Sequence, residues 1–300
     1  MSETTPPQTG GKILKIIALI LVVIATGAMG GYALYLRYFV EGDRIESEQV
    51  LEFENVSGNL SITNSKGLIR IMPSDDGKMR VSLIKRVRPP ALEIGTSGPD
   101  LIALQHTQND QGDVSLQIDY TEHRKYILEA ELWVFMPRAA KIDIRTGNGN
   151  VYMKGIEAGQ IDLRSDGEHA DMLLINVSGA VHIKMAGGQF HRYEHGGQET
   201  TADTDSASIR LVFLDPTTGR TEITTKSGPV VLHLLENADA TISYRTKGLF
   251  LTTFDVELPP MSPPEETQGQ LMLGDGGTEI ELTSETGAIR VEKGLPPIPE

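Results

Sequence analysis

A short unit of glycine, any residue, an apolar residue, any residue and a second apolar residue recurs along most of this chain. Alternation of apolar and variable positions has the period of a half-buried β-strand, in which successive side chains point to opposite faces. The leading glycine permits the backbone bend of a turn, which residues with a Cβ atom resist. Each unit therefore predicts a turn followed by a short strand. The units lie at residues 58–62, 67–71, 112–116, 149–153, 159–163, 179–183, 228–232 and 287–291.

The spacing of the turns limits the number of β-architectures that the chain can form. Turn glycines in the middle of the chain lie about ten residues apart, from Gly149 to Gly196. The strands are short, and Trp133 is the only tryptophan. Both features favour a stack of coils rather than a single large globular core. We therefore predict an all-β fold in which residues 50–293 form a single-stranded, β-helix-like β-solenoid. An irregular antiparallel β-sandwich is the alternative.

An uncharged apolar run precedes the repeats and extends from Ile16 to Leu36. A helix needs about 20 apolar residues to cross the hydrocarbon core of a bilayer, so the run predicts one transmembrane α-helix over residues 13–36. Lys12 and Lys15 lie just before the run and favour a cytoplasmic N-terminus. A cleaved signal peptide is the alternative to a retained helix.

These features divide the chain into five segments. Residues 1–12 are predicted to be a short cytoplasmic tail, 13–36 the transmembrane helix, 37–49 a stalk, 50–293 the β-solenoid and 294–300 a Pro-rich tail. The bulk of this single-pass membrane protein is then predicted to lie outside the cytoplasm. Gly27 and Gly31 are spaced so that two membrane helices could approach closely, which would allow a homodimer through these residues, although glycine is common in membrane helices.

Charge and cysteine content exclude several functions. The net charge of −14 argues against nucleic-acid binding, because that function needs a basic face. The absence of cysteine excludes disulfides, thiol catalysis and zinc sites with cysteine ligands.

One segment matches a metalloprotease motif. His191, Glu194 and His195 have the order H-x-x-E-H, which binds zinc only when both histidines lie on one face of a helix. Glycine pairs flank the segment and leave little room for a helix, so we interpret it as a strand and turn.

Acidic residues give two further candidates. Aspartates near turns could bind calcium but are explained by local capping of the backbone. Carboxylates on strands could form the acid–base pair of a glycan-cleaving enzyme. We assign no catalytic, cofactor-binding or metal site. The calcium candidates are Asp75, Asp76, Asp110, Asp113, Asp203, Asp205 and Asp275, and the strand carboxylates are Glu131, Asp143 and Asp162.

The segments 132–137 and 141–153, an apolar strand closed by proline and then strand, turn and strand, resemble a bacterial β-strand-repeat family of unknown function labelled "putative adhesin". A second match covers residues 274–291. The resemblance implies a location in the bacterial cell envelope, a β-solenoid and no known catalytic motif. Residues 198–206 depart from the pattern, because Thr and Asp replace the apolar positions there, and a break in the fold is expected.

The leading functional hypothesis is therefore a membrane-anchored, extracytoplasmic protein without catalytic activity or cofactor. It would act as an adhesin or as a structural or interaction protein, with an envelope protein or glycan as partner. The alternatives are a polysaccharide-active β-helix enzyme, either lyase or hydrolase, and a scaffold or sensor that acts through its membrane helix.

Overall fold

A computed structural model describes residues 45–54, 56, 58–89, 98–121, 126–194, 199–215, 219–256 and 266–298. Within these residues the chain forms twenty-two strands and one short 3-10 helix, Gly98–Leu101. The strands are β1 (Ile45–Phe53), β2 (Asn59–Asn64), β3 (Leu68–Pro73), β4 (Met79–Arg88), β5 (Ile102–Gln108), β6 (Val114–Tyr120), β7 (Ile127–Met136), β8 (Ala139–Thr146), β9 (Asn150–Lys154), β10 (Glu157–Ser165), β11 (Asp171–Ile175), β12 (Ser178–Met185), β13 (Gln189–Glu194), β14 (Thr200–Thr204), β15 (Ser208–Phe213), β16 (Arg220–Thr225), β17 (Val230–Leu234), β18 (Ala240–Thr246), β19 (Phe250–Thr252), β20 (Thr267–Leu273), β21 (Thr278–Ser284) and β22 (Ile289–Lys293).

The strands form two eleven-stranded sheets. Sheet 1 has the order β1-β4-β7-β3-β9-β11-β13-β15-β17-β22-β19, and sheet 2 has the order β20-β18-β21-β16-β14-β12-β10-β8-β2-β6-β5. From β8 to β17 the chain alternates between the sheets, so each strand pairs in parallel with the strand two places away in sequence. Antiparallel pairs occur at the ends of sheet 2, between β5 and β6 and between β18 and β20.

The predicted fold class, a single-stranded, β-helix-like solenoid over residues 50–293, is wrong. The turns about ten residues apart separate successive strands, and these strands belong alternately to the two sheets. In addition, both ends of sheet 2 carry antiparallel strands. No helix in the described part of the chain is long and apolar enough to span a membrane. The predicted cytoplasmic tail, the helix over residues 13–36 with Gly27 and Gly31, and residues 37–44 of the stalk lie outside the described residues. Strand β1 begins at Ile45, within the segment assigned to the stalk.

The chain divides into two units. The first contains residues 1–46, 86–101 and 122–128, and the second contains 47–85, 102–121 and 129–300. In the second unit, the inner faces of the sheets meet in an apolar core, where the ring of Tyr244 on β18 stacks on that of Phe250 on β19 with centroids 3.6 Å apart. In most strands alternate residues enter this core, which is why the period-two pattern predicts the strands.

Near its C-terminus, the chain does not add strands to the two sheets in sequence order. The C-terminal strands β21 and β22 lie between β16 and β17 on one side and β18 and β19 on the other. To reach this place, the turn after β20 passes over the start of β18, where the Gly277 amide donates to the Asp239 carboxylate (2.8 Å) and the Thr278 amide donates to the Asp239 carbonyl (3.0 Å). Gly276 adopts a φ of 82° in this turn, a conformation that favours glycine.

The ladder continues through the segment where the sequence predicts a break. Strand β14 pairs in parallel with β12 and β16 and turns Thr200, Ala202 and Thr204 towards the core. A break is expected from the sequence because two of these three positions are polar. Thr200 has a partner in the core, since its hydroxyl accepts a hydrogen bond from the Arg192 guanidinium.

Candidate ligand-binding face

The outward side of sheet 2, which we call the polar face, carries a long row of polar side chains. Strands in register place equivalent residues beside one another, at about 4.8 Å from strand to strand. The alternate residues of these strands enter the core, so the members of the row point away from it. The row contains Ser61, Asp143, Asp162, His182, Thr201, Glu222, Glu281, Ser243 and Gln270.

Four open depressions follow this row. Their volumes, in order from β5 to β20, are ≈ 270, ≈ 350, ≈ 250 and ≈ 470 Å³. The last two adjoin, because they share Ser243, Gln270 and Glu281. Hydroxyl, amide and charged groups line all four, which is the lining expected for a polar ligand that extends across several strands. The outward polar lining residues are Asn59, Ser61, Thr107 and Ser115 in the first depression, Asp162, Arg164, His182, Lys184 and Thr201 in the second, Arg220, Thr241 and Glu279 with the shared residues in the third, and Arg245, Gln268 and Thr283 with the shared residues in the fourth.

Two of the three carboxylates proposed for glycan cleavage lie side by side on the polar face. Asp143 on β8 and Asp162 on β10 are register partners. The Asp162 carboxylate lies 2.5 Å from the Lys141 ammonium and accepts hydrogen bonds from the Gln160 amide at 3.0 and 3.1 Å. Burial opposes ionisation of Asp162, but the hydrogen bonds from Lys141 and Gln160 outweigh it, so its pKa is below the ordinary value. A general acid needs a raised pKa, because it must keep its proton until it donates it to the leaving group.

The third proposed carboxylate is on the other sheet. Glu131 belongs to β7 of sheet 1, where it accepts a hydrogen bond from the Arg70 guanidinium at 3.2 Å. The Arg70 guanidinium also lies over the rings of Trp133 and Tyr152, at 4.9 and 5.5 Å from their centroids. Glu131 therefore forms part of an ion pair and cation–π group, away from the other two carboxylates.

The H-x-x-E-H segment does not form a helix where it is described. His191 and Glu194 lie on strand β13, and His195 lies outside the described residues. Positions three apart on a strand point to opposite faces: His191 is on the outward side of sheet 1, and Glu194 is buried in the core with 3% exposure. These two side chains cannot act together on one metal ion.

Two of the turn aspartates, Asp76 and Asp113, accept hydrogen bonds from neighbouring groups of the protein. The Asp76 carboxylate accepts hydrogen bonds from the Ser74 hydroxyl (2.6 Å) and the Lys78 amide (3.2 Å), and these bonds lower its pKa. Asp113 accepts hydrogen bonds from the Asn59 amide (2.7 Å) and the Asn109 side chain (2.8 Å), which likewise lower its pKa. In the described ranges, no three acidic or histidine side chains are grouped so that they could hold a metal ion.

A buried charged pair was missed by the sequence interpretation. Arg192, 1% exposed, and Glu194 occupy core positions of β13, with Arg192 Nη2 2.6 Å from Glu194 Oε2. Burial raises the pKa of Glu194 to about 7, although the Arg192 charge acts in the opposite direction. The signal in the sequence was present, since both residues alternate with outward residues and share a face with the buried Phe190. Because the pair lies in the core, it is not accessible to a ligand.

The outward side of sheet 1 differs from the polar face. Besides the aromatic groups around Arg70, it carries a buried apolar cluster of Ile175, Tyr193, Val212 and Leu214. The open polar depressions described above all belong to sheet 2.

Two mainly parallel sheets with an apolar core between them and a polar outward face define an all-β repeat protein. The family model for Toastrack DUF4097 matches residues 43–249. The chain belongs to this family, which confirms the resemblance to a β-strand-repeat family of unknown function inferred from the sequence.

Several solved structures are similar to the chain. A "putative adhesin" from Parabacteroides distasonis ATCC 8503 is 13% identical, with 84% of this chain and 98% of that chain covered and a TM-score of 0.42. A "putative cell adhesion protein" from Clostridium sporogenes ATCC 15579 is 13% identical, with 84% and 100% covered and a TM-score of 0.30. A "putative lipid binding protein" from Parabacteroides distasonis ATCC 8503 is 10% identical, with 83% and 97% covered and a TM-score of 0.28. Comparison with curated proteins gave no match.

Proposed function

We propose that this chain is a non-catalytic, adhesin-like binding protein and that its polar face holds an extended glycan across several strands. The observation that carries the proposal is the succession of four open depressions along one face, each lined in part by polar side chains. A glycan presents many hydroxyl groups along its length, and the amide, hydroxyl and charged groups of the face can pair with them. Several weak contacts in one row then add up to useful affinity.

The chemistry of the carboxylates favours binding over cleavage. Asp143 and Asp162 are both next to cations, with Arg145 Nε 3.4 Å from the Asp143 carboxylate and Lys141 2.5 Å from that of Asp162. The lowered pKa of Asp162 keeps it ionised at neutral pH. A glycosidase needs one carboxyl group that retains its proton, and the environment of Asp162 favours the ionised form instead.

We also propose that the domain acts in the bacterial cell envelope, outside the cytoplasm. The uncharged segment 16–36 that precedes the domain and the two lysines before that segment support this location. Protease treatment of intact cells tests it: degradation of the domain in intact cells is the expected result, and protection until the cells are lysed would contradict the location.

A glycan array with the full-length chain tests the binding function. The double variant Gln268→Ala/Gln270→Ala removes two amides from the largest depression, and Arg290→Gln, on the outward side of sheet 1, is the matched control. We expect retention of a set of glycans by the wild type and the control, with weaker retention by the double variant. An array without any retained glycan, or equal retention by all three proteins, would contradict the proposal. Release of new reducing ends from a retained glycan would replace it by a catalytic function.

A further inference from the structure

We propose that the part of the polar face on β8, β10 and β12 selects an acidic polysaccharide, and that Arg164 and Lys184 bind its anionic groups. This inference rests on the proposed glycan-binding function and specifies the substrate class. It starts from the order of three cations: Arg145, Arg164 and Lys184 are consecutive register partners on three neighbouring parallel strands, and all three side chains are exposed.

The nearby carboxylates are already engaged by other cations. Asp143 pairs with Arg145 at 3.4 Å, and Asp162 pairs with Lys141 at 2.5 Å. These are the two aspartates in the adjoining row of the same strands. They therefore leave Arg164 and Lys184 as the neighbouring cations that are available to a ligand.

Arg164 and Lys184 form no ion pair within 4.0 Å in the part of the chain that the structure describes. Asp203 is the register partner of Lys184 on the next strand, yet its carboxylate is not within ion-pair distance of Lys184. Like charges on adjacent strands repel each other, so this arrangement is unfavourable until an anion lies between them.

The shape of the surface indicates where the ligand lies. Arg164 and Lys184 border the depression of ≈ 350 Å³, whose outward lining also includes His182, Thr201 and the Asp162 carboxylate that pairs with Lys141. The guanidinium of Arg164 can bind a carboxylate through two parallel hydrogen bonds, and Lys184 supplies a second positive charge. The Thr201 hydroxyl can pair with sugar hydroxyls. A chain of uronic acids supplies both kinds of group along one direction, because each sugar carries a carboxylate as well as hydroxyls.

Binding of polygalacturonate to the full-length chain tests the inference. Neutral dextran and polyglutamate are the comparison polymers, because the first lacks charge and the second lacks sugar. The variant Arg164→Gln/Lys184→Gln removes both cations but keeps polar side chains of similar length, and Arg290→Gln removes one exposed cation from sheet 1. Thermal unfolding of each variant shows that its fold is retained.

We expect polygalacturonate to bind more tightly than both comparison polymers and to bind less tightly as salt increases. Loss of the two charge-assisted contacts should weaken binding about ten-fold or more in the double variant, whereas Arg290→Gln should bind as the wild type does. Unchanged binding by the double variant, no preference over dextran, or equal binding of polyglutamate would overturn the inference. If neutral glycans are retained on the array in that case, the proposed function stands without it; if no glycan of any charge is retained, the proposed function fails as well.

Discussion

The buried carboxyl group of Glu194 makes the stability of this protein depend on pH. Its pKa is about 7 in the folded state, and its ordinary value is 4.5. The folded protein therefore binds this proton more tightly than the unfolded chain does. The resulting stabilisation is complete below about pH 4.5 and is lost as the pH rises through about 7.

The size of the effect follows from the same two values. At 1.36 kcal/mol for each unit of pKa, the difference between 4.5 and about 7 corresponds to roughly 3 kcal/mol over the whole range. Most of it, roughly 2–3 kcal/mol, falls between about pH 5 and about pH 8. That is a large part of the stability of an ordinary domain, so urea unfolding at the two pH values can measure it.

The variant Glu194→Gln isolates this group. Glutamine has nearly the shape of the protonated glutamic acid and cannot ionise, so we expect the variant to match the wild type near pH 5 and to be more stable by roughly 2–3 kcal/mol near pH 8. Glu222→Gln is the control, because Glu222 is a more exposed residue on β16 that pairs with Arg220 at the surface. If Glu194→Gln is instead the less stable protein near pH 8, the Arg192 charge dominates over burial and the reasoning is refuted.

Three further predictions concern other parts of the second unit. Gly188→Ala should destabilise the protein by more than about 1 kcal/mol in thermal unfolding, because Gly188 has a φ of 93° and a Cβ atom would lie 2.0 Å from a backbone carbonyl oxygen. Gly77→Ala is the control, because Gly77 has a φ of 73° but free space around it, and it should lower the stability by less. Tyr120→Phe should cost roughly 1–2 kcal/mol in urea unfolding, because its hydroxyl donates to a backbone carbonyl at 2.6 Å, and an equally stable variant would contradict this. Lys141→Met should raise the pKa of Asp162 in an NMR titration, and an unchanged pKa would show that this ion pair does not form in solution.

The polar face could be predicted only in part from the sequence. Asp143 and Asp162 are recognisable as acidic residues on strands, and the register of β8 with β10 then places them side by side. The cationic partner of Asp143, Arg145, lies two residues away on the same strand. That of Asp162 could not be found in this way, because the Lys141–Asp162 pair joins residues 21 positions apart, on strands separated by β9 of the other sheet. Arg164 and Lys184 are neighbours for the same reason, since β10 and β12 pair only because β11 between them belongs to the other sheet.

Polar residues in the core were harder to predict, because the sequence pattern assigns polar positions to the surface. Thr200 and Thr204 look like a break in the pattern, whereas they occupy core positions of a continuous ladder. The alternation along β13 places Arg192 and Glu194 on the same face as the buried Phe190, but their charge argues for exposure, because charged residues are rarely buried unless they are paired. Pairing is a tertiary property, and here Arg192 has one partner on its own strand and another, Thr200, on the facing sheet.

The local pattern of residues was sufficient to show that the domain is all-β, where many of its turns lie, and which side of a strand is apolar. These properties depend on neighbours within a few residues, since side chains alternate along a strand and glycine permits tight turns. The pairing of strands was decided only by the tertiary structure. The same alternating strand fits equally well beside several others, and the observed choice, with β21 inserted between β16 and β18, buries the apolar sides of both sheets in one core.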